Sequence, residues 1–252
     1  MDQLVTLWLS AAIILGVYAS GWFVVGILLK RNDIADIAWG LGYCLLCVWL
    51  FLTQPVGPIN FLLYAVVCLW GIRLSAHIFF RNRGKAEDFR YRQWRMEWGK
   101  TFYWRSYLQV YLLQAFFLLI ISTPILWAST FTTTWSWFTG IGLTVWVVGF
   151  LFQSIGDFQL SQFCKTKQPG EIIQHGLWKY SRHPNYFGEI VMWWGIYCVV
   201  LPTGWWTLIS PLTITLLLVF VSGVPMLEQK YVGNPEYEAY KKRTWALVPK
   251  VW

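Results

Sequence analysis

The feature that most constrains this chain is a series of apolar runs, each as long as a membrane is thick. Leu4 to Leu29 is 26 residues without a charge and ends at Lys30-Arg31. A hydrocarbon core of ~30 Å is crossed by about 20 helical residues, and a signal-peptide core is shorter than this run. Further spans are expected from Ile34 to Phe51, from Ile59 to about Phe80, from about Tyr107 to Trp127, from Trp135 to Gly156, from about Tyr186 to Leu201 and from Trp205 to Val224. Turn residues separate them at Thr53 to Pro58, Ser129 to Thr134 and Pro202-Thr203-Gly204, and a polar tail runs from Glu228 to Trp252. Only 13% of the 252 residues are charged, against roughly 25% in a soluble domain. The expected fold class is all-α: one polytopic membrane domain, residues 1–252, of about seven transmembrane helices.

Charge gives that bundle an orientation. If the connections alternate sides, Lys30 to Asp33, Arg81 to Arg105, Asp157 to Arg182 and Glu228 to Lys250 share one face, and the opposite loops carry no charge. The loop Arg81 to Arg105 alone has eight Lys or Arg against three Asp or Glu. The positive-inside rule places that face and the C-terminal tail in the cytoplasm and the N-terminus outside. The net charge of +8 is then explained by anionic membrane lipids, and nucleic acid is not expected as a partner. Nineteen Trp and thirteen Tyr suit interfacial belts. Five scattered cysteines, with Cys44 and Cys47 in an apolar span and no partner His or Cys in sight, suggest neither a metal site nor a disulfide framework.

A charge at the bilayer centre costs about 2.5 to 3.5 kcal/mol on insertion scales, so polar residues inside spans must face protein, water or a ligand. Asp36 lies near the start of the second span. Arg73 and His77, Gln153 and Asp157, and Asn185 and Glu189 are each four apart, hence on one helix face. The plain alternative is a hydrogen-bond network that only locks helices together. The densest polar string runs from Gly176 to Glu189, where Pro184 can open a helix. Lys179, Arg182 and His183 then gather at the positive end of that helix, a place suited to phosphate, and Asn185 and Glu189 reach deeper, able to accept ribose or amide hydrogen bonds or to meet Arg182. No Rossmann glycine pattern is present. In the tail, Glu228 and Tyr231 follow the last apolar span directly. The stretch Tyr231 to Tyr240 across Asn234-Pro235 reads as a short helix docking back, with Lys241 and Lys242 as a basic anchor on lipid.

These residues resemble the steroid 5α-reductase C-terminal superfamily, and most of all its bacterial members of unknown function. The resemblance is carried by Asp36 to Gly40, Leu69 to Leu74, Arg81 to Gly84, Glu87 to Tyr91, Gly156 to Leu160, Tyr180 to Glu189 and Ser222 to Glu228, with Arg182 to Glu189 the specific part. It implies a seven-helix bundle whose cytoplasmic half holds NADPH while an apolar substrate enters from lipid: an N-terminal half of about 1–106 with the basic loop, and a C-terminal cofactor-binding half of about 107–252. Family cofactor positions fall on Asp157, Asn185 and Glu189, joined by Arg182, Tyr186 and Tyr231. The residue-level reading adds His183 and Glu228. Many relatives have a carboxylate where this chain has Gln153 and a basic residue where it has Cys164, which leaves Lys165 or Lys167 for that role.

The expected chemistry is conjugate reduction of a steroid-like, isoprenoid or fatty enone by NADPH, with an acid polarising the carbonyl or protonating the α-carbon. Asp36, His77 and Tyr91 are the candidates for that acid. A buried, protonated Asp36 would donate a hydrogen bond. The rival enzyme class is a membrane methyltransferase using S-adenosylmethionine, which has no phosphate to neutralise. A lipid-binding protein without catalysis is the third class. Oligomeric state has no signature here.

Overall fold

The computed structural model describes residues 2–131, 134–168 and 170–250, so residues 132 and 133 of the expected turn and the last two residues of the tail lie outside the description. The described residues are helical with no strand, apart from one isolated bridge between Ser181 and Trp245. Among the described residues six helices are long and apolar enough to cross a membrane: Gln3–Leu29, Ile34–Thr53, Pro58–Asn82, Phe89–Ile121, Trp137–Thr166 and Trp205–Tyr231. The chain is an integral membrane protein. The remaining expected span is a helix of 17 residues, Pro184–Val200, about 26 Å long at ~1.5 Å per residue.

Two compact units divide the chain, Met1–Trp135 and Ser136–Trp252. The expected halves meet near residue 107. The units meet later because the segment after the basic loop packs against the first helix.

In the first unit α1 (Asp2–Leu29) buries Leu7, Ala11, Leu15 and Ala19, while Val5, Leu9, Ile13 and Val17 point outward. Both stripes are apolar, as a helix with lipid on its outer face requires. Helices α2 (Ile34–Thr53) and α3 (Pro58–Asn82) cross closely at Gly40 and Gly71: a Cβ on either would lie 2.5 Å from the other's carbonyl oxygen. Small residues at such crossings let backbones touch. Near this crossing the Cys44 thiol donates to the Cys68 carbonyl at 3.7 Å, so the pair at Cys44 and Cys47 does have a cysteine neighbour, contrary to expectation. The basic loop forms α4 (Phe89–Trp98), started by the Asp88 carboxylate, which accepts from the Arg90 amide. Then α5 (Phe102–Ser106) runs through a wide turn at Tyr107–Leu112 into α6 (Leu113–Ile121), and α7 (Thr123–Ala128) follows.

The second unit is built on α8 (Trp137–Thr166) and α9 (Pro184–Val200). Ser136 and Thr139 cap α8 reciprocally. Gly142, Gly149 and Gly156 recur every seven residues on α8 and meet α9 at Gly195, Gly188 and Asn185 in turn, so the two helices are antiparallel. A Cβ on Gly149 would lie 2.5 Å from the Gly188 oxygen, and one on Gly142 2.6 Å from the Gly195 oxygen. The last long helix holds α10 (Ile209–Leu216), a wide turn at Leu217–Val221 and α11 (Val224–Glu228). The expected tail helix is α12 (Pro235–Arg243), capped by Asn234, and the Tyr240 hydroxyl donates to the Trp178 carbonyl.

Candidate functional site

The register set by the α8 glycines decides which polar groups of the second unit meet. Each helix contributes one amide and one acid, four residues apart, and the antiparallel arrangement pairs them crosswise. Gln153 Nε2 donates to Glu189 Oε2 at 2.9 Å, and Asn185 Nδ2 donates to Asp157 Oδ1 at 3.1 Å. Gln153, Asp157 and Glu189 are at most 6% exposed. A buried acceptor without a donor is destabilising, and here Asn185 Oδ1 and the hydroxyl of Ser154 are both buried with no hydrogen-bond partner. The sequence points to both helix faces. Ser154 shows no signal beyond its place beside Gln153.

At the entrance to α9, Arg182, His183 and Glu228 meet. Glu228 Oε1 accepts from Arg182 Nε at 2.8 Å and sits 3.2 Å from His183 Nε2. The His183 ring stacks on Tyr186 with centroids 5.5 Å apart. Burial lowers the His183 pKa; Glu228 opposes that shift and Arg182 adds to it. The Arg182 guanidinium also donates to the Thr244 carbonyl. Around it the tail is tied down as a strap: Arg182 N–H bonds to Trp245 O at 3.0 Å, Lys250 N–H to Tyr180 O at 2.8 Å, and Ser181 Oγ to Ala246 O at 3.4 Å. Trp178 Nε1 donates to the Gly156 carbonyl at 3.1 Å, fixing the loop before α9 onto α8.

Other expected positions are more peripheral. Tyr231 stacks on Tyr237 at 4.6 Å, and Lys165 and Lys167 are exposed at the end of α8, Lys165 donating to Gln162. Arg182 faces Glu228 rather than Glu189, so the alternative of an Arg182–Glu189 pair gives way to amide pairing.

The first unit has a separate polar centre where α4 docks on the start of α2. Tyr91, 3% exposed, donates from its hydroxyl to Asp36 Oδ1 at 2.6 Å. Arg90 Nη2 donates to Asp36 Oδ2 at 2.8 Å, and Arg90 Nε to Asp88 Oδ1 at 2.9 Å. Asp36 is therefore an acceptor in this group. The expectation that it donates is corrected, because a phenol and a guanidinium both point their protons at it. Burial pushes the Asp88 carboxyl up, but the hydrogen bonds and charge of Arg90 outweigh this and hold it below the usual carboxylate range. His77 is half-buried on α3. Behind this centre Arg31 forks onto Asp33 at 2.7 and 3.0 Å, and Glu87 accepts from the Asn32 amide at 2.6 Å and from Arg95 at 3.0 Å. Arg90, Asp88 and Glu87 belong to a stretch that carries the family resemblance but are not among the expected site residues, of which this stretch supplies Tyr91 alone.

Hollows in the first unit lie against Tyr18, Trp22, Trp39, Tyr111 and Leu118, walled almost wholly by apolar groups.

No curated protein matches the chain. The family described as "Protein of unknown function (DUF1295)" matches residues 22–244, and the chain belongs to that family.

Proposed function

We propose that this protein is a membrane-embedded, NADPH-dependent reductase of an activated carbon–carbon double bond in an apolar, lipid-like substrate. It would be a bacterial inner-membrane relative of the steroid 5α-reductase superfamily, with seven spans, an external N-terminus and its basic face in the cytoplasm. The observation that carries this reading is the buried acid–amide quartet of α8 and α9, with the carbonyl oxygen of Asn185 left without a donor. An orphaned acceptor beside two carboxylates suits a ligand rich in N–H and O–H donors, as a carboxamide, an aminopurine and two riboses are. The donor set fits that group. Asn185 Oδ1 would accept an amide or amino proton, and Asp157 and Glu189 would accept ribose hydroxyls. The exposed Lys165, Lys167 and Lys179 supply charge for phosphates.

When bound, NADPH supplies a hydride. In the first unit Asp36 accepts from the Tyr91 phenol, and Arg90 holds the carboxylate.

One observation favours a second reading. The charge of Arg182 is already met by Glu228, and Asp157 and Glu189 are carboxylates, a set that also suits S-adenosylmethionine, which is cationic at sulfur and free of phosphate. Thermal unfolding of the purified protein with each cofactor separates the two. A ligand at a hundredfold excess over its Kd adds about 2.7 kcal/mol of apparent stability. The reductase reading requires stabilisation by NADPH and not by S-adenosylmethionine, followed by NADPH consumption with apolar enones. The reverse pattern makes the protein a methyltransferase, and stabilisation by neither leaves a lipid-binding protein.

A further inference from the structure

In the first unit α4 is fastened to the turn between two membrane spans. Lys30 to Asp33 joins α1 to α2, and three bonds tie α4 and the loop before it to that turn. Arg31 Nη1 donates to the Lys85 carbonyl at 2.8 Å, the Asn32 amide to Glu87 Oε1 at 2.6 Å, and Arg95 Nη2 to the Lys30 carbonyl at 3.4 Å. Length places α4 at the same level. The 33 residues from Phe89 to Ile121 would measure about 50 Å as one straight helix, against a hydrocarbon core of ~30 Å. Gly99, at φ +46°, ends α4 and lets the chain change direction before α5. The helix therefore lies among the lipid headgroups, held there by the ends of α1 and α2.

This docking sorts the charges of the loop. The acids that face the turn are each taken by a base: Asp33 by Arg31, Asp36 and Asp88 by Arg90, and Glu87 by Arg95. Glu97, on the outer side of α4, accepts from Gln93 Nε2 at 2.7 Å. Among the described residues, the side chains of Arg83, Lys85, Arg92, Lys100 and Arg105 enter no ion pair, and all five are exposed. Met96, Tyr103 and Trp104 are exposed between them. A face turned only to water gains nothing from a bare methionine and two bare aromatic rings. At a bilayer surface the rings sit among headgroups while the bases meet phosphates.

We propose that α4 and its flanking loops form a binding surface for anionic phospholipid. Arg83, Lys85, Arg92, Lys100 and Arg105 meet the headgroup phosphates, and Met96, Tyr103 and Trp104 rest on the upper acyl chains. Because the neighbouring acids are already neutralised by their own bases, the outer charges have no internal competitor and are left to the lipid. The surface lies wholly in the first unit and does not depend on the cofactor reading.

The test uses the full-length protein in phosphatidylcholine proteoliposomes. The probes are trace phosphatidylglycerol and trace phosphatidylcholine, each with a diazirine high on one acyl chain, and cross-links are mapped to peptides after illumination. One Lys or Arg near an anionic surface is worth about fivefold in affinity. Phosphatidylglycerol should therefore label the segment 83–105 about fivefold or more above phosphatidylcholine. The excess should vanish in about 1 M NaCl, where the Debye length falls to ~3 Å. The triple variant Arg83→Gln, Arg92→Gln, Lys100→Gln should label like phosphatidylcholine with either probe, whereas Lys241→Gln with Lys242→Gln, in the tail, should keep the excess. Inorganic phosphate should displace the probe no better than chloride at equal ionic strength. Equal labelling of the parent by the two lipids overturns the proposal, as does an excess that survives high salt or the triple variant. Loss of the excess in the tail variant also overturns it, and stronger displacement by phosphate would make this a site for the free anion instead. If the triple variant fails to insert, the peptide map and salt response of the parent decide.

Discussion

The Tyr91 hydroxyl donates to Asp36 across 2.6 Å, tying the first turn of α4 to the first turn of α2 while Arg90 occupies the other carboxylate oxygen. A hydrogen bond to a charged acceptor is worth about 1.5 to 3 kcal/mol. Tyr91→Phe should lower the stability of the detergent-solubilised protein by about that amount. Tyr103→Phe, at a residue 56% exposed, should not change it. Equal unfolding curves for the two variants would mean that the phenol contributes nothing to docking.

Helix contact at the glycine stripe makes a second prediction. Gly149→Ala or Gly188→Ala forces a methyl group against the facing backbone and should cost about 1 to 3 kcal/mol. Gly140→Ala, on the same helix with nothing within 4 Å of its Cβ, should be neutral or mildly stabilising. Comparable losses at all three positions, read by thermal unfolding, would point to backbone effects instead of packing.

Protonation of His183 should be visible in stability. Its pKa is lowered in the folded state, mainly by burial, against about 6.5 in the unfolded chain. Below that value the unfolded chain takes up a proton that the folded one resists, so stability rises with pH up to about 6.5 and then levels off. The apparent Tm should therefore fall as pH drops below ~6.5, and His183→Gln should flatten that part of the profile. A slope of the same size in the variant would assign the effect to other groups.

Ligand response gives a fourth prediction, conditional on NADPH stabilising the parent. Asn185→Ala removes both the bond to Asp157 and the unfilled acceptor, and Glu189→Gln removes a buried charge beside Gln153. Each should raise the NADPH concentration needed for a given thermal shift by about tenfold or more, the effect of ~1.4 kcal/mol of lost binding. Shifts identical to the parent in both variants would exclude these residues from the site.

Much of this architecture is legible in the amino-acid order, because a run such as Leu4 to Leu29 has few other places to go than a membrane. Spacing by four also exposes the polar faces at Gln153 and Asp157 and at Asn185 and Glu189. Their partners are not legible, since crosswise pairing depends on helix register, and register here follows close packing at the glycines. The sevenfold recurrence of Gly142, Gly149 and Gly156 is in the sequence and is the signal from which that register could have been read. Cys68 is hidden for the same reason: 21 residues from Cys47, it becomes a neighbour only through the crossing at Gly40 and Gly71. Arg90 is one of eight bases in its loop, and nothing local distinguishes it until the Asp88 cap fixes where α4 begins.

The strap that ties Trp245 to Arg182 carries a consequence for biosynthesis. The backbone donor of Arg182 finds its partner 63 residues further along the chain, so the entrance to α9 stays incomplete until the ribosome has passed Trp245. Insertion of α8 and α9 can proceed during translation. Closure of the loop between them waits for the segment from Trp245 to Lys250 to leave the ribosome.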